Sequence, residues 1–274
     1  MSLRAFLRSK SNGNEATVRR YETYIKRFVG WLGSRKLTAE IVPEYADYLA
    51  GKYRVNSTIP MVVALNLCLE HRGVPFRFKM PSKQVNPNPR LVSDEEYRAI
   101  LSRIAEPDER LVVRLLHDSL LRPSDVAALR LSELDLSGRF AYIRKTTQKA
   151  GVNTESMLTP ETAAELRAFI AERGIADYIF PSPKRTGPRC RTWPNAVLAK
   201  HGAEGISPRT FRRTGATRWN DDTASLMAQG GWKDPKTIFR HYRRNVEERH
   251  AKAFEQAMNV HMTADDAEDV PGYR

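Results

Sequence analysis

The chain has 274 residues, of which 41% are hydrophobic and 28% charged, with a formal net charge of +13 and a pI near 9.9. That length fits two compact domains or one large one. No apolar run reaches membrane-spanning length, the N-terminus lacks a signal-peptide core, and two distant cysteines, Cys68 and Cys190, have no metal-ligand spacing. These features predict a reduced protein that stays inside the cell, with no membrane span, disulfide framework or zinc site. Residues 1–85 hold 15 Lys and Arg against 6 Asp and Glu, and residues 86–260 hold 29 against 22, while the last fourteen are acidic. Both large portions are basic, as expected of two domains that grip one polyanion.

Along the chain, Ser11-Asn12-Gly13-Asn14 is suited to cap a helix, and Val18, Tyr21, Ile25, Phe28 and Leu32 then recur at helical spacing as one apolar stripe. Arg19, Lys26 and Arg27 project from another face, which is either a surface for nucleic-acid phosphates or a solvated basic face. Helices are predicted over residues 39–49 and 58–71, the second ended by Gly73 in the left-handed position. Tyr21, Tyr24, Tyr45, Tyr48 and Tyr53 fall in these helices as packing residues, and Cys68 reads as a small buried thiol. Residues 80–90 contain three prolines and no periodicity, which predicts an extended linker. The expected divisions are therefore a domain over 1–79, a linker over 80–90, a domain over 91–260 and an acidic tail over 261–274.

The second domain opens on the capping box Ser93-Asp94-Glu95-Glu96. A helix over 111–121 follows, and Pro123 suits the first turn of the next, over 124–129. Residues 140–143 and 154–158 read as a β-hairpin around Gly151-Val152-Asn153. Helices are then expected over 160–173, 193–201, 210–220, 223–229 and 245–258. The fold class is mainly α with one small β-hairpin.

Four residues stand in recognisable local contexts: Arg122 in Leu-Leu-Arg-Pro-Ser-Asp, Lys149 in Thr-Thr-Gln-Lys-Ala-Gly, Arg212 in Pro-Arg-Thr-Phe-Arg-Arg-Thr-Gly-Ala-Thr, and Tyr242 at the end of Gly-Gly-Trp-Lys-Asp-Pro-Lys-Thr-Ile-Phe-Arg-His-Tyr. This order, over nearly the whole chain, resembles the tyrosine recombinases of the phage-integrase family. The resemblance implies a helical, SAM-like core-binding domain and a C-terminal catalytic domain, closed as a C-shaped clamp on duplex DNA. It implies strand cleavage without metal, ATP or any other cofactor. Planar guanidiniums best meet charge building on a phosphate, so Arg122 and Arg212 would hold it, with Asp125 orienting Arg122. Tyr242, 30 residues after Arg212, would be the nucleophile that forms a 3′-phosphotyrosine. Lys149 would protonate the leaving 5′ oxygen, with Lys145 as competitor if the hairpin register differs. Arg213 and Arg243 would meet DNA phosphates, alongside Arg19, Lys26 and Arg27.

The sequence departs from the usual family pattern at three positions. Arg209 and Trp232 stand where many relatives carry histidine; both can donate to a phosphate, but neither shuttles protons. Leu120 stands where glycine often precedes Leu-Arg. The expectation is an active enzyme with less proton-transfer assistance than usual; His117 reads as structural, and His241 is an outside candidate. Further implications are double-stranded DNA with inverted-repeat core sites, free monomers that assemble as four protomers on two sites, and a cytoplasmic, nucleoid-associated protein. With only about ten residues before the first expected helix, an N-terminal arm-binding domain is not expected. The segment holding Val246, Phe254 and Met258 would dock on a neighbouring protomer or pack in cis. The rival readings are a regulator that binds without cleaving and a type IB topoisomerase; an ordinary helix-turn-helix factor ranks last.

Overall fold

The computed structural model describes residues 1–84, 90–147, 151–219 and 222–242, apart from the side chains of Arg240 and His241. Lys149, Arg243 and the helix expected over 245–258 lie outside the described residues, as does the acidic tail. The chain divides into two compact units, Met1–Asn86 and Pro87–Arg274.

The first unit holds α1 (Leu3–Lys10), α2 (Glu15–Leu32), α3 (Ile41–Lys52) and α4 (Val55–His71). Asn14 caps α2 by accepting from Thr17 N at 3.0 Å, and Val18, Ile25 and Phe28 of the predicted stripe are buried. Helix α1 was not expected: eight residues with interspersed charges are too short for periodicity to register. It is fixed by the Ser2 cap, by fully buried Leu7, and by Arg4 ion pairs to Glu15 and Glu22 of α2. The Gly73 prediction is met by a Schellman ending, with φ +66° at Gly73 and Val74 N donating to Leu69 O. The tyrosines pack as the sequence suggests: Tyr45 meets Phe28 edge-on at 4.8 Å, and its phenol is pushed up to about 12 by burial. Two asparagines of α4 strap the following chain down. Asn66 pairs with both the N–H and C=O of Phe78, and Asn56 does the same with Gln84. Residues 80–84, read from sequence as the start of a linker, thus run tied to α4.

The second unit opens on the predicted capping box at Ser93 and α5 (Asp94–Ser102). Then come α6 (Pro107–Ser119), α7 (Pro123–Ala127), a 3₁₀ turn (Leu131–Glu133), β1 (Leu134–Asp135), β2 (Ala141–Thr146) and β3 (Asn153–Leu158). The chain continues through α8 (Pro160–Arg173), α9 (Trp193–Lys200), α10 (Pro208–Arg218), α11 (Thr223–Gly230) and α12 (Pro235–His241). The hairpin pairs Ala141 with Leu158 through Thr146 with Asn153, and β1, too short to be seen in sequence, extends it to an antiparallel sheet of order β1-β2-β3. Helix α12 was also unexpected; Asp234 caps it and Pro235 fills its first position. Apolar α6 is central, packed on α8, α9, α10 and β3, with Leu111, Leu115 and Leu116 fully buried.

The helix predicted over 111–121 ends at Ser119 because Leu120 turns left-handed, at φ +53° and ψ +17°. A side chain there is strained by roughly 1 kcal/mol or more. The strain persists because Leu120 packs with Ala216, Leu226, Trp232 and Ile238, filling the space over Gly215 of α10. A Cβ at Gly215 would lie 2.2 Å from Leu120 Cδ2. Alanine in a helix normally gains about 1 kcal/mol over glycine. Here Gly215→Ala should instead destabilise by about 1–3 kcal/mol through overpacking. Denaturant midpoints should show that cost shrinking in a Leu120→Ala background; equal costs in both backgrounds would mean that the two positions do not compete for one space.

Candidate active site

Helix α10 supplies the cationic core of the site. Ser207 and Thr210 close its N-terminus, and Thr214 Oγ1 fixes it by accepting Val92 N at 2.8 Å while donating to Thr210 O. Phe211 turns into the hydrophobic core, which sends Arg209, Arg212 and Arg213 to other faces. Arg212 is only 2% exposed. Its Nη1 donates to Gly230 O at 2.6 Å and also to Leu120 O, and its guanidinium lies over the Trp232 ring at 3.7 Å. Burial pushes Arg212 down to about 10, with Tyr242 and Asp125 opposing and the charge of Arg122 adding to the shift; it stays cationic at neutral pH.

Several donors of this cluster lack a hydrogen bond of normal geometry among the described residues, while the Tyr242 phenol beside Arg212 favours its cation. Nε and Nη2 of Arg212, Nη1 of Arg122 and Nε1 of Trp232 are all buried and unsatisfied. Each such donor costs about 1–3 kcal/mol, so a group of them on and beside a buried cation is a socket for an anion with several oxygens.

Trp232 and Tyr242 reach this socket through two glycines and a short helix. Gly231 follows α11 at φ +62°, and a Cβ on it would lie 2.5–2.6 Å from Thr154 and Thr147 of the hairpin. A Cβ on Gly230 would lie 1.9 Å from the Trp232 ring, which folds back over that residue. Helix α12 then returns the chain, anchored by buried Ile238 and by Thr217 Oγ1 donating to Tyr242 O at 3.2 Å. The half-buried Tyr242 ring sits edge-on to Trp232 at 5.2 Å, with Arg212 5.1 Å and Arg209 5.3 Å from its centre. Arg209, Arg212, Trp232 and Tyr242 are therefore gathered, and Arg122 is near enough for its charge to act on Arg212.

Other sequence candidates fall in different settings. Asp125 is fully buried on α7, where its charge favours the cationic form of Arg212. Lys145 is buried, and its ammonium donates to Asp125 O at 3.1 Å and Glu133 Oε2 at 3.0 Å. Arg213 is half-buried and reaches Arg90 O; burial and then Arg209 lower its pKa. His117 stacks on Tyr97 at 4.0 Å and bonds Asp118, a structural setting as the sequence suggests. Arg19, Lys26 and Arg27 belong to the first unit, exposed on α2 and in no ion pair with a described carboxylate. Sequence reasoning missed the Leu120 and Gly230 carbonyls, because any residue type offers a carbonyl and only the fold aims it.

Residues 90–249 match the family model described as the phage integrase family. The chain is 24% identical over 226 residues to the tyrosine recombinase XerA of Thermococcus kodakarensis, covering 77% of this chain and 78% of that protein. In fold it is similar to the XerH site-specific recombinase bound to its difH substrate, with a TM-score of 0.67 and 15% identity over 89% of this chain and 80% of the other. It is similar too to the lambda integrase tetramer bound to a Holliday junction, with a TM-score of 0.67 and 16% identity over 85% of this chain and 74% of the other. A buried arginine socket with a tyrosine at its rim, on a helical unit whose sequence matches that model over more than half the chain, settles the kinship: the protein belongs to the phage integrase family and is a tyrosine recombinase.

Proposed function

We propose that this protein carries out site-specific DNA recombination by cutting and resealing duplex DNA through a 3′-phosphotyrosine at Tyr242. The observation that carries the reading is the set of unsatisfied donors on and around Arg212 with the Tyr242 ring beside them. A scissile phosphate in the socket takes its non-bridging oxygens to Arg212 and Arg122, where charge builds in the transition state. The Tyr242 phenol releases its proton to solvent as its oxygen attacks phosphorus, the bond to the 5′ oxygen breaks, and that oxygen takes a proton from Lys149. Lys149 is preferred over Lys145 because the Lys145 ammonium is already committed to Glu133 and Asp125. The ester preserves the energy of the broken bond, so resealing requires neither ATP nor a ligase. Arg209 and Trp232 act as donors that hold charge and position, not as proton carriers. The target is duplex DNA with inverted-repeat core sites, on which monomers assemble as a tetramer across two sites; Arg19, Lys26, Arg27, Arg213 and Arg243 meet its phosphates. The lambda integrase tetramer on a Holliday junction is a fold neighbour that supports this assembly.

Bound DNA selected from a random pool and rebuilt as a nicked suicide duplex tests the reading. Tyr242→Phe should abolish the covalent adduct and leave binding intact, and Arg212→Lys should lower adduct formation by about 10²–10³-fold. Binding without any adduct in the parent protein would favour a regulator, and site-independent relaxation of supercoiled plasmid a type IB topoisomerase.

The two lysines separate by readout. Lys149→Ala should slow cleavage and be rescued by a 5′-thio leaving group, whereas Lys145→Ala should lower the melting temperature, since it leaves the Asp125 carbonyl and the part-exposed Glu133 carboxylate without their donor at a cost of about 1–3 kcal/mol. Failure of the thio substrate to rescue Lys149→Ala overturns its role as acid.

Arg209 faces the Tyr242 ring as a permanent charge. Arg209→His should add an inflection to the cleavage pH profile near pH ~6.5, with activity falling as the imidazole deprotonates. A profile identical to the parent's would remove Arg209 from the charge balance at Tyr242.

A further inference from the structure

Gln229 is the residue before Gly230 on α11, and it is buried. Its side-chain amide is fully used. Nε2 donates to Asp118 O at 2.6 Å and to Met157 O at 2.8 Å, while Oε1 accepts from Met157 N at 2.8 Å. Its own carbonyl accepts from Ser156 Oγ. One carboxamide thus joins three elements: the end of α6, the end of α11 and strand β3.

Two of those ends supply the acceptors of Arg212. Asp118 stands two residues before Leu120, and Gln229 stands directly before Gly230; the Leu120 and Gly230 carbonyls both receive Arg212 Nη1. Any change in the gap between α6 and α11 separates those carbonyls and turns the guanidinium, and with it the free edge formed by Nε and Nη2. We infer that Gln229 is a positioning residue for strand cleavage, setting the direction in which Arg212 presents that edge to the phosphate. The inference rests on the recombinase function proposed above.

The chemistry asks for an amide. Leucine has similar bulk but leaves Asp118 O, Met157 N and Met157 O unpaired. An ionised glutamate would set a charge against two carbonyl oxygens with no proton to donate. Burial and those carbonyls favour the neutral acid, which recovers an O–H donor. A glutamate at 229 therefore loses the brace as pH rises and regains it as pH falls. His117 and Asp118 on α6 and Arg218 on α10 border the same hollow; all three are also present in the parent, so activity is read as a ratio to the parent at each pH.

The experiment uses the full chain and the suicide duplex defined above, with three readouts: duplex Kd, single-turnover adduct rate at saturating protein, and melting midpoint. Gln229→Leu should keep Kd within about two-fold of the parent and lose about 10- to 100-fold in adduct rate, the scale of a misplacement near 1 Å, in protein shown to be folded at the assay temperature. The rate deficit of Gln229→Glu should shrink on going from about pH 8 to about pH 6. A folded Gln229→Leu that cleaves at the parental rate, or that loses only DNA affinity, overturns the inference. If the leucine variant does not fold, the glutamate variant decides: no deficit, or the same deficit at both pH values, overturns it. A parent that binds its selected duplex and forms no adduct sinks the recombinase reading instead, before any variant is compared.

Discussion

A guanidinium almost sealed from water, with one nitrogen held by protein and two left open, is the constraint around which the second unit is arranged. A buried cation with open donors is expensive. The cost is tolerated because stacking on Trp232 returns part of it and because the two carbonyls on Nη1 leave the other edge directed. Those carbonyls come from residues 110 positions apart, at the ends of α6 and α11. The geometry of one side chain therefore depends on the packing of α6, α10 and α11.

The large residues that set this chain apart are matched by missing ones. Leu120 takes a left-handed turn that would be easy for glycine, and the helix it packs against carries glycine at 215. Trp232 folds back over the residue two before it, and that residue is Gly230. In each pair the side chain present fills the volume that a Cβ on the glycine would need. Leu120 and Trp232 are thus each half of a packed pair beside the arginine socket.

Features that depend on neighbours in sequence were readable. The caps at Asn14 and Ser93, the Gly73 ending, the α2 stripe and the α8 boundaries all follow from residues within a turn or two. The four gathered site residues were legible because they fall in two local motifs, Arg209 with Arg212 and Trp232 with Tyr242. Helix α1 and strand β1 escaped because eight and two residues give no measurable period; their stability comes from tertiary contacts, not from propensity. The sequence favours Lys149 on its Thr-Gln-Lys-Ala-Gly context but keeps Lys145, four residues earlier in the same polar stretch, as its competitor. The fold adds what the sequence does not show: the Lys145 ammonium is held by Glu133 of the 3₁₀ turn and by the Asp125 carbonyl. The brace at Gln229 is still less visible, because its partners are backbone atoms of residues whose side chains give no hint of the bond.

Among the described residues, three carboxamides do the same job. Asn56 and Asn66 in the first unit and Gln229 in the second each grip the N–H and C=O of a single extended residue, at Gln84, Phe78 and Met157. A helix cannot offer its own backbone to an extended neighbour, because its N–H and C=O groups are spent internally. A side-chain amide carries the same donor and acceptor pair as a peptide, so it supplies from a helix surface the pairing that an adjacent strand would give. Such pairing reads backbone, not side chains; the Phe78 side chain is held separately, by burial against Phe28 and Tyr45. Substitution by the matching acid removes the donor while keeping the shape, so the functional consequence at each position depends on what the gripped segment holds in place. In the first unit that is the chain running toward the second unit; in the second it is the spacing of the two carbonyls that aim Arg212.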